Sequence, residues 1–529
     1  MIKGWLWRYG WLFPWLVLIA VSYLVRGPLP IDETRYLGVA WEMWQRHDFL
    51  VPYLNGEPYS HKPPLLFWLF QAGWAVWGVN EWWPRLVAPL FALAGLYLTR
   101  IMATRLWPDR PRIAILAPWI LAGCLLWAVF TPMTMFDMLL MALVMLGMLG
   151  LFRAGSGHLL TGWLVVGLAA GLGILAKGPV MLLHIAFASL LAPYWSETAR
   201  QRPWAWYGLL VAAILMAAVI AFSWALPAAS AGGEAYEQAI LWHQTANRMV
   251  DSFAHLRPVW WYLPLLPLLL FPWLLWPAQW RAFKTLAGMH DPAVRFLLLW
   301  TIPTLIAFSL ISGKQPQYLL PLFPATALLF ARALADDQQA PRRRDLLLPA
   351  FFMVVIGLFL LLLPHLSLEK LPDTIDRISS LWGIAIVLLV AVLLVWKWKQ
   401  LSNVIVALTL VTTMVVALLL GAVFQAAGPI YDIRPAALFL SGLQQNGAPV
   451  AHLGTYHNQY HFLGRLEQPL TTIRTSGLEK WADAHPDGYV VGYHRRLPEK
   501  EGPQPLYIQP YRGQWLSVWP ARHLQRSLF

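Results

Sequence analysis

Tyr9-Gly10-Trp11-Leu12-Phe13-Pro14-Trp15-Leu16-Val17-Leu18-Ile19-Ala20-Val21-Ser22-Tyr23-Leu24-Val25 is a largely apolar run, and it soon gives way to Asp32-Glu33-Thr34-Arg35-Tyr36. A second polar stretch, Pro58-Tyr59-Ser60-His61-Lys62-Pro63-Pro64, follows in the same loop. A bilayer core is about 30 Å thick and takes roughly 20 apolar residues to cross. Charge placed beside such a segment must be hydrated, paired or functional. Only 12% of the 529 residues are charged, so few are available to scatter at random. The first extramembrane loop is therefore the leading candidate for a reaction centre.

The same alternation continues along the chain. The sequence is 58% hydrophobic and 14% aromatic, with a mean hydropathy of +0.53. Apolar segments fall at 9–25, 84–106, 113–131, 135–152, 159–176, 179–195, 205–227, 259–280, 294–312, 317–335, 346–364, 380–396 and 402–426. They predict an all-α polytopic membrane protein with about thirteen transmembrane helices. Lys3 and Arg8 precede the first run as in a signal peptide, but its exit, Arg26-Gly27-Pro28, offers no small-residue cleavage site. An uncleaved first helix is expected. The single cysteine, Cys124, allows no intramolecular disulfide and no zinc site built on thiolates.

Basic residues orient the spans. With a cytoplasmic amino terminus, the inner loops hold Arg100, Arg105, Arg110, Arg112, Arg153, Arg200, Arg202, Arg281, Lys284, Arg332, Arg342, Arg343, Arg344, Lys397 and Lys399. Loops 26–83 and 228–258, and the segment after about residue 430, then lie outside. This explains much of the net charge of +13 and the isoelectric point near 9.8. Dispersed in short loops, these cations form no continuous groove for nucleic acid.

Some outer polar residues are left unexplained by topology: Asp32, Glu33, Tyr59, Lys62, Asp137, Lys177 before Gly178-Pro179, His243, Arg248, Lys314 and Tyr318. Lys62 and Arg248 suit a phosphate, the commonest anion at a membrane surface, and the hydroxyls of Tyr59 and Tyr318 add donors. In transfer from a lipid-linked phosphosugar, cations aimed at the departing lipid phosphate stabilise its growing charge. Carboxylates position or deprotonate an acceptor, or steady positive character at the sugar carbon. Each residue also has a plainer reading. Lys62 is placed as a snorkelling interfacial lysine, Asp32 and Glu33 as helix caps, Asp137 as a helix-end acid, and His243 and Arg248 as solvated loop residues. The 32 tryptophans read mainly as interfacial belts. Pro264, Pro267, Pro272 and Pro277 predict a broken helix.

The ordered set resembles a known family. Asp32-Glu33 with Tyr36, then Ala40-Trp41-Glu42-Met43, Val51-Pro52, Asn55-Gly56, Tyr59 and Lys62-Pro63-Pro64-Leu65, resemble the first periplasmic loop of the bacterial lipid A aminoarabinose transferases. These are GT-C-fold enzymes related to protein O-mannosyltransferases. The likeness continues through Asp137, Ala176-Lys177-Gly178-Pro179, the loop from His243 to Arg248, and Lys314-Gln315-Pro316-Gln317-Tyr318-Leu319-Leu320-Pro321. The resemblance implies that Asp32 and Asp137 are paired acids of a catalytic cavity. It further implies that Tyr59, Lys62, Arg248 and Tyr318 hold the phosphate of an undecaprenyl phosphate sugar, with Lys62 and Arg248 also catalytic. Glu33, Lys177, His243 and Lys314 are expected nearby. The sequence Gln244-Thr245-Ala246-Asn247-Arg248-Met249 departs from the family's acidic-Arg-Phe pattern. The implied acceptor is lipid A or another acceptor on the periplasmic face. The lipid-linked donor is the one small molecule implied, and the sequence leaves dependence on a divalent metal open.

Two domains are expected, a membrane catalytic unit at 1–429 and a small periplasmic α/β unit at 430–529. In the latter, helices are predicted near 435–445 and 477–484, with strands near 449–454 and 489–494. His452, His457, His461 and His494 match no metal-ligand spacing, so surface or partner-facing positions are expected for them. A lipid-carrier transporter is the non-enzymatic alternative. Transporters show internal repeats with broken segments at the bilayer midplane, whereas this chain has no visible repeat and its polar set clusters at one surface.

Overall fold

The computed structural model describes residues 2–243, 256–284, 286, 291–336, 341–366, 377–495 and 504–524. Among them, eight helices are long and apolar enough to cross a membrane. These coincide with eight of the expected segments. The other five hold shorter or broken helices: Leu12–Val25, Pro111–Ala122 with Leu125–Phe130, Val180–Leu190, Tyr262–Leu269 with Pro277–Phe283, and Ser380–Val395. The chain is closely packed at the break after Ala122. A Cβ on Gly123 would lie 2.7 Å from the Trp273 ring and 2.8 Å from the Thr409 hydroxyl. The proline-rich segment breaks as expected, with only a 3₁₀ turn at Trp273–Leu275 between its helices.

Asp137–Gly155 and Leu159–Lys177 form the antiparallel hairpin on which the site depends, 19 residues in each arm. Asp137–Gly155 is apolar on nearly every side, and Met138, Met141, Met145 and Met148 are all fully enclosed at helical spacing. The arms approach closely because small residues face each other. A Cβ on Gly162 would sit 2.4 Å from the Ala154 nitrogen, and one on Gly150 2.8 Å from the Gly162 carbonyl. Equal lengths joined by a tight turn bring the first residue, Asp137, beside the last, Lys177.

The loop at 26–83 is a folded layer. It contains the helices Asp32–Gln45 and Leu65–Trp77 and a two-stranded hairpin, β1 (Tyr53–Leu54) and β2 (Glu57–Pro58). Asn55 and Gly56 turn the hairpin at φ +55° and +86°, the left-handed pair that an Asn-Gly turn supplies cheaply. Their amides donate to the Glu42 carboxylate at 2.6 and 2.8 Å.

After the long helix Leu401–Tyr431 and the helix Arg434–Gln445 comes a five-stranded sheet. It comprises β3 (Val450–Leu453), β4 (Thr471–Ile473), β5 (Tyr489–His494), β6 (Tyr507–Tyr511) and β7 (Gln514–Pro520), in the order β4-β3-β5-β7-β6. The first three are parallel and the last two pairings antiparallel. The expected helices and the strands β3 and β5 are present. This sheet is no detached tail, since Tyr460, Phe462, Val491 and Val518 share one buried cluster with Tyr36, Phe67 and Phe136. Polar ties reinforce the junction. Asn55 exchanges two 2.8 Å hydrogen bonds with the Leu470 backbone, and Asn458 donates to Glu42.

The histidines correct the expectation. His452, His461 and His494 are buried within the sheet domain. His452 pairs with the Tyr493 hydroxyl at 3.3 Å, His461 with Tyr456 at 2.7 Å, and His494 with Ser517. Burial pushes both His452 and His461 down to about 4. The aromatic residues around them form a hydrogen-bonded interior that the alternation of apolar residues alone does not reveal.

Candidate active site

Both acids of interest open helices. Asp32 is the first residue of Asp32–Gln45 and Asp137 the first of Asp137–Gly155, where the positive end of the backbone dipole favours a carboxylate. Asp32 forms an ion pair with Arg35 one turn further on and keeps about half of its side chain exposed. Asp137 is buried, and Lys177 Nζ donates to its Oδ1. Lys177 closes its own helix, where the negative dipole end favours a cation.

Aromatic rings link the two acids. Tyr36 stands edge-on to Phe136, with centroids 4.9 Å apart, and Phe136 immediately precedes Asp137. The Lys62 ammonium lies 5.6 Å from the centre of the same Phe136 ring. On the other side, the Lys177 ammonium lies 4.9 Å from the centre of the Tyr318 ring. Tyr59 is buried, its ring 5.2 Å from that of His61. Burial, followed by the field of Asp32, raises the Tyr36 phenol well above its ordinary range, with Tyr59 and Asp137 adding to the effect. Asp32, Tyr59, Lys62, Asp137, Lys177 and Tyr318 are thus brought into one constellation from five chain segments.

Two expected members are engaged by other partners. Glu33 is enclosed, and both carboxylate oxygens are engaged. They accept from the Arg26 fork at 2.5 and 3.1 Å, from the Leu29 amide at 2.7 Å and from the Thr134 amide at 2.6 Å. Burial alone would raise its pKa. The Arg26 charge and these hydrogen bonds outweigh burial and hold the carboxyl below the usual range. Arg26 also reaches the Pro132 carbonyl at 2.7 Å, so the pair fastens the turn that delivers Asp137. Lys314 is likewise buried, its ammonium donating to the carbonyls of Arg257 and Ile311 at 2.9 and 2.5 Å. It staples the end of the helix Pro292–Leu310 to the strand-like residues at Leu256 and Arg257. Arg248 lies outside the described residues. His243 ends a short π-helical turn, and its side chain is likewise outside them.

Sequence reasoning missed Arg35 and His457. Burial disfavours the Arg35 charge, but Tyr59, Tyr36 and Asp32 together outweigh that effect and raise its pKa. His457, from the sheet domain, is lowered first by burial and then by Arg35, while Asp32 pulls in the opposite direction. The i,i+3 spacing of Asp32 and Arg35 was a usable signal. Nothing in the sequence ties His457 to a loop 425 residues earlier in the chain. Among the described residues, no cluster of three His, Cys, Asp or Glu side chains is placed to hold a metal.

Residues 61–222 match the family model described as dolichyl-phosphate-mannose-protein mannosyltransferase. The chain is 30% identical over 503 residues to the undecaprenyl phosphate-alpha-4-amino-4-deoxy-L-arabinose arabinosyl transferase 1 of Pseudomonas fluorescens Pf-5, covering 90% of this chain and 88% of that one. It is 33% identical to the corresponding transferase of Pseudomonas paraeruginosa over 366 residues, 67% of this chain and 65% of that one. The fold is that of ArnT from Cupriavidus metallidurans, solved bound to undecaprenyl phosphate, with a TM-score of 0.77, 18% identity and 98% of both chains covered. Relatedness across nine-tenths of its length makes this chain a member of the undecaprenyl phosphate-aminoarabinose arabinosyl transferase family of membrane glycosyltransferases.

Proposed function

We propose that this multi-pass inner-membrane enzyme transfers 4-amino-4-deoxy-L-arabinose from undecaprenyl phosphate to lipid A on the periplasmic face. The observation that carries the reading is the meeting of Asp32 and Asp137, each at a helix start, with Lys62, Lys177, Tyr59 and Tyr318. In the reaction, the bond from the sugar anomeric carbon to the carrier phosphate oxygen breaks and undecaprenyl phosphate leaves with the electron pair. An acceptor oxygen forms the new bond to that carbon. Lys62, with the Tyr59 and Tyr318 hydroxyls, binds the departing phosphate, and the resemblance adds Arg248. Lys177 holds Asp137 in place beside this charge.

A phosphate acceptor on lipid A is already ionised near neutral pH and needs little help from a base. Asp32 and Asp137 then balance positive character at the sugar carbon and orient its polar groups. The mannosyltransferase family match over 61–222 favours one second reading, a protein hydroxyl acceptor, for which Asp32 would serve as base. Either reaction consumes the same lipid-linked donor. Lipid A extracted from cells with and without the gene, in a strain confirmed to make the donor, separates the readings by mass spectrometry. An aminoarabinose addition that depends on the gene is expected. Unchanged lipid A accompanied by newly labelled protein would overturn the lipid acceptor.

A further inference from the structure

A cavity of about 290 Å³ lies among Trp276, the start of the helix Leu347–Leu362, the end of Ser380–Val395 and the start of Leu401–Tyr431. Leu401–Tyr431 has 31 residues and so is about 46 Å long. It begins at this cavity and ends beside the sheet domain. The cavity therefore sits at the end of the bundle opposite the candidate active site.

Its chemistry is that of an anion site. Arg342, Arg343 and Lys397 line it. The one acid there, Asp345, is neutralised by the Arg281 fork at 2.8 and 2.5 Å. Trp276, which is 1% exposed, adds an aromatic side to the cavity. Leu346, Leu401 and Val404 make the wall apolar below the cations. Immediately beyond Leu346 and before Lys397, the side chains of Leu347, Phe351, Val392 and Val395 are exposed along two helices that pack together.

We propose that this cavity binds the phosphate head group of an anionic membrane lipid, with the cations Arg342, Arg343 and Lys397 meeting its phosphate oxygens. The exposed apolar flank selects a lipid over free phosphate, because acyl chains leaving the cavity run directly onto it. Basic pockets between membrane helices suit such head groups through charge and desolvation together.

Native mass spectrometry of the full-length protein in detergent, titrated with phosphatidylglycerol or phosphatidylcholine, tests the proposal. Wild type should bind phosphatidylglycerol at least about tenfold more tightly than phosphatidylcholine. R342Q/R343Q/K397Q should abolish that preference. K397Q alters one exposed side chain and should lower the preference even if the triple variant folds poorly. A wild type without preference, a K397Q protein with unchanged binding, or full displacement of the lipid by millimolar inorganic phosphate would each overturn the assignment.

Discussion

The ammonium of Lys177 donates a hydrogen bond to the carboxylate of Asp137, joining the last residue of one membrane helix to the first residue of its antiparallel partner. Both side chains are nearly enclosed, with 11% and 4% exposure. Each charge also sits at the helix end whose dipole favours it. The close Gly150–Gly162 approach deeper in the hairpin keeps the two ends in register.

Removing one partner of such a pair leaves the other buried and uncompensated, at a cost of about 3–5 kcal/mol. Lys177→Ala and Asp137→Asn should each lower turnover by at least about tenfold. The double variant Asp137→Asn with Lys177→Met should lose less stability than the sum of the two single losses, because no unpaired charge remains. Thermal unfolding of the purified proteins, alongside initial rates, measures both effects. Strictly additive losses would show that the two groups act separately.

Glu33 governs Asp137 from a distance, through the Thr134 amide and the Arg26 fork. Glu33→Gln keeps the shape but removes the charge and one acceptor oxygen, so a destabilisation of about 3–5 kcal/mol is expected, again from a broken buried pair. The surviving folded enzyme should lose kcat more than KM, since Asp137 shifts while Lys62 and Tyr59, the proposed ligands of the carrier phosphate, stay in place. Wild-type kcat in a folded Glu33→Gln protein would detach the clamp from catalysis.

Glu42 receives the Asn55 and Gly56 amides and the Asn458 amide group, so it couples the hairpin to the sheet domain. Glu42→Ala leaves these donors unsatisfied, at about 1–3 kcal/mol for each buried group. The expected outcome is faster proteolysis between Tyr431 and β3 and a loss of activity, because the same junction sets the loop carrying Tyr59 and Lys62. A cleavage rate equal to that of wild type would rule out the coupling.

The buried histidines make the sheet domain sensitive to acid. Their folded-state values near 4 lie below the ordinary value of 6.5. The unfolded chain therefore binds protons first, and stability falls as pH drops from about 6.5 towards 4. The full loss is of order 3 kcal/mol per histidine once both states are protonated. Unfolding monitored by tryptophan fluorescence across this window should show a falling midpoint that His461→Gln flattens. An unchanged slope in that variant would place the acid sensitivity elsewhere.

Apolar runs made the membrane helices legible, and the ordered polar motifs made Asp32, Tyr59, Lys62, Asp137 and Tyr318 legible as a group. What each polar residue touches was harder to read. Glu33 and Asp32 are neighbours in sequence, yet one answers to Arg26 and Thr134 and the other to Arg35. Lys314 lies in a matching motif, but its hydrogen bonds go to backbone carbonyls. The strand β4 has only three residues, and Pro510 inside β6 and Pro520 at the end of β7 disguise a hairpin turned by Arg512-Gly513 at φ +50° and +79°. Partnership at long range is set by packing, which a pattern of residue types does not encode.

The most direct measurement supplies the purified protein with undecaprenyl phosphate-linked aminoarabinose and lipid A and weighs the acceptor. Wild type should add the sugar and release undecaprenyl phosphate in equal amounts, while Asp32→Asn and Lys62→Ala, folded and membrane-inserted, should add none. Acceptor of unchanged mass with wild type, or wild-type rates in both variants, would contradict the assignment of this constellation as the reaction centre.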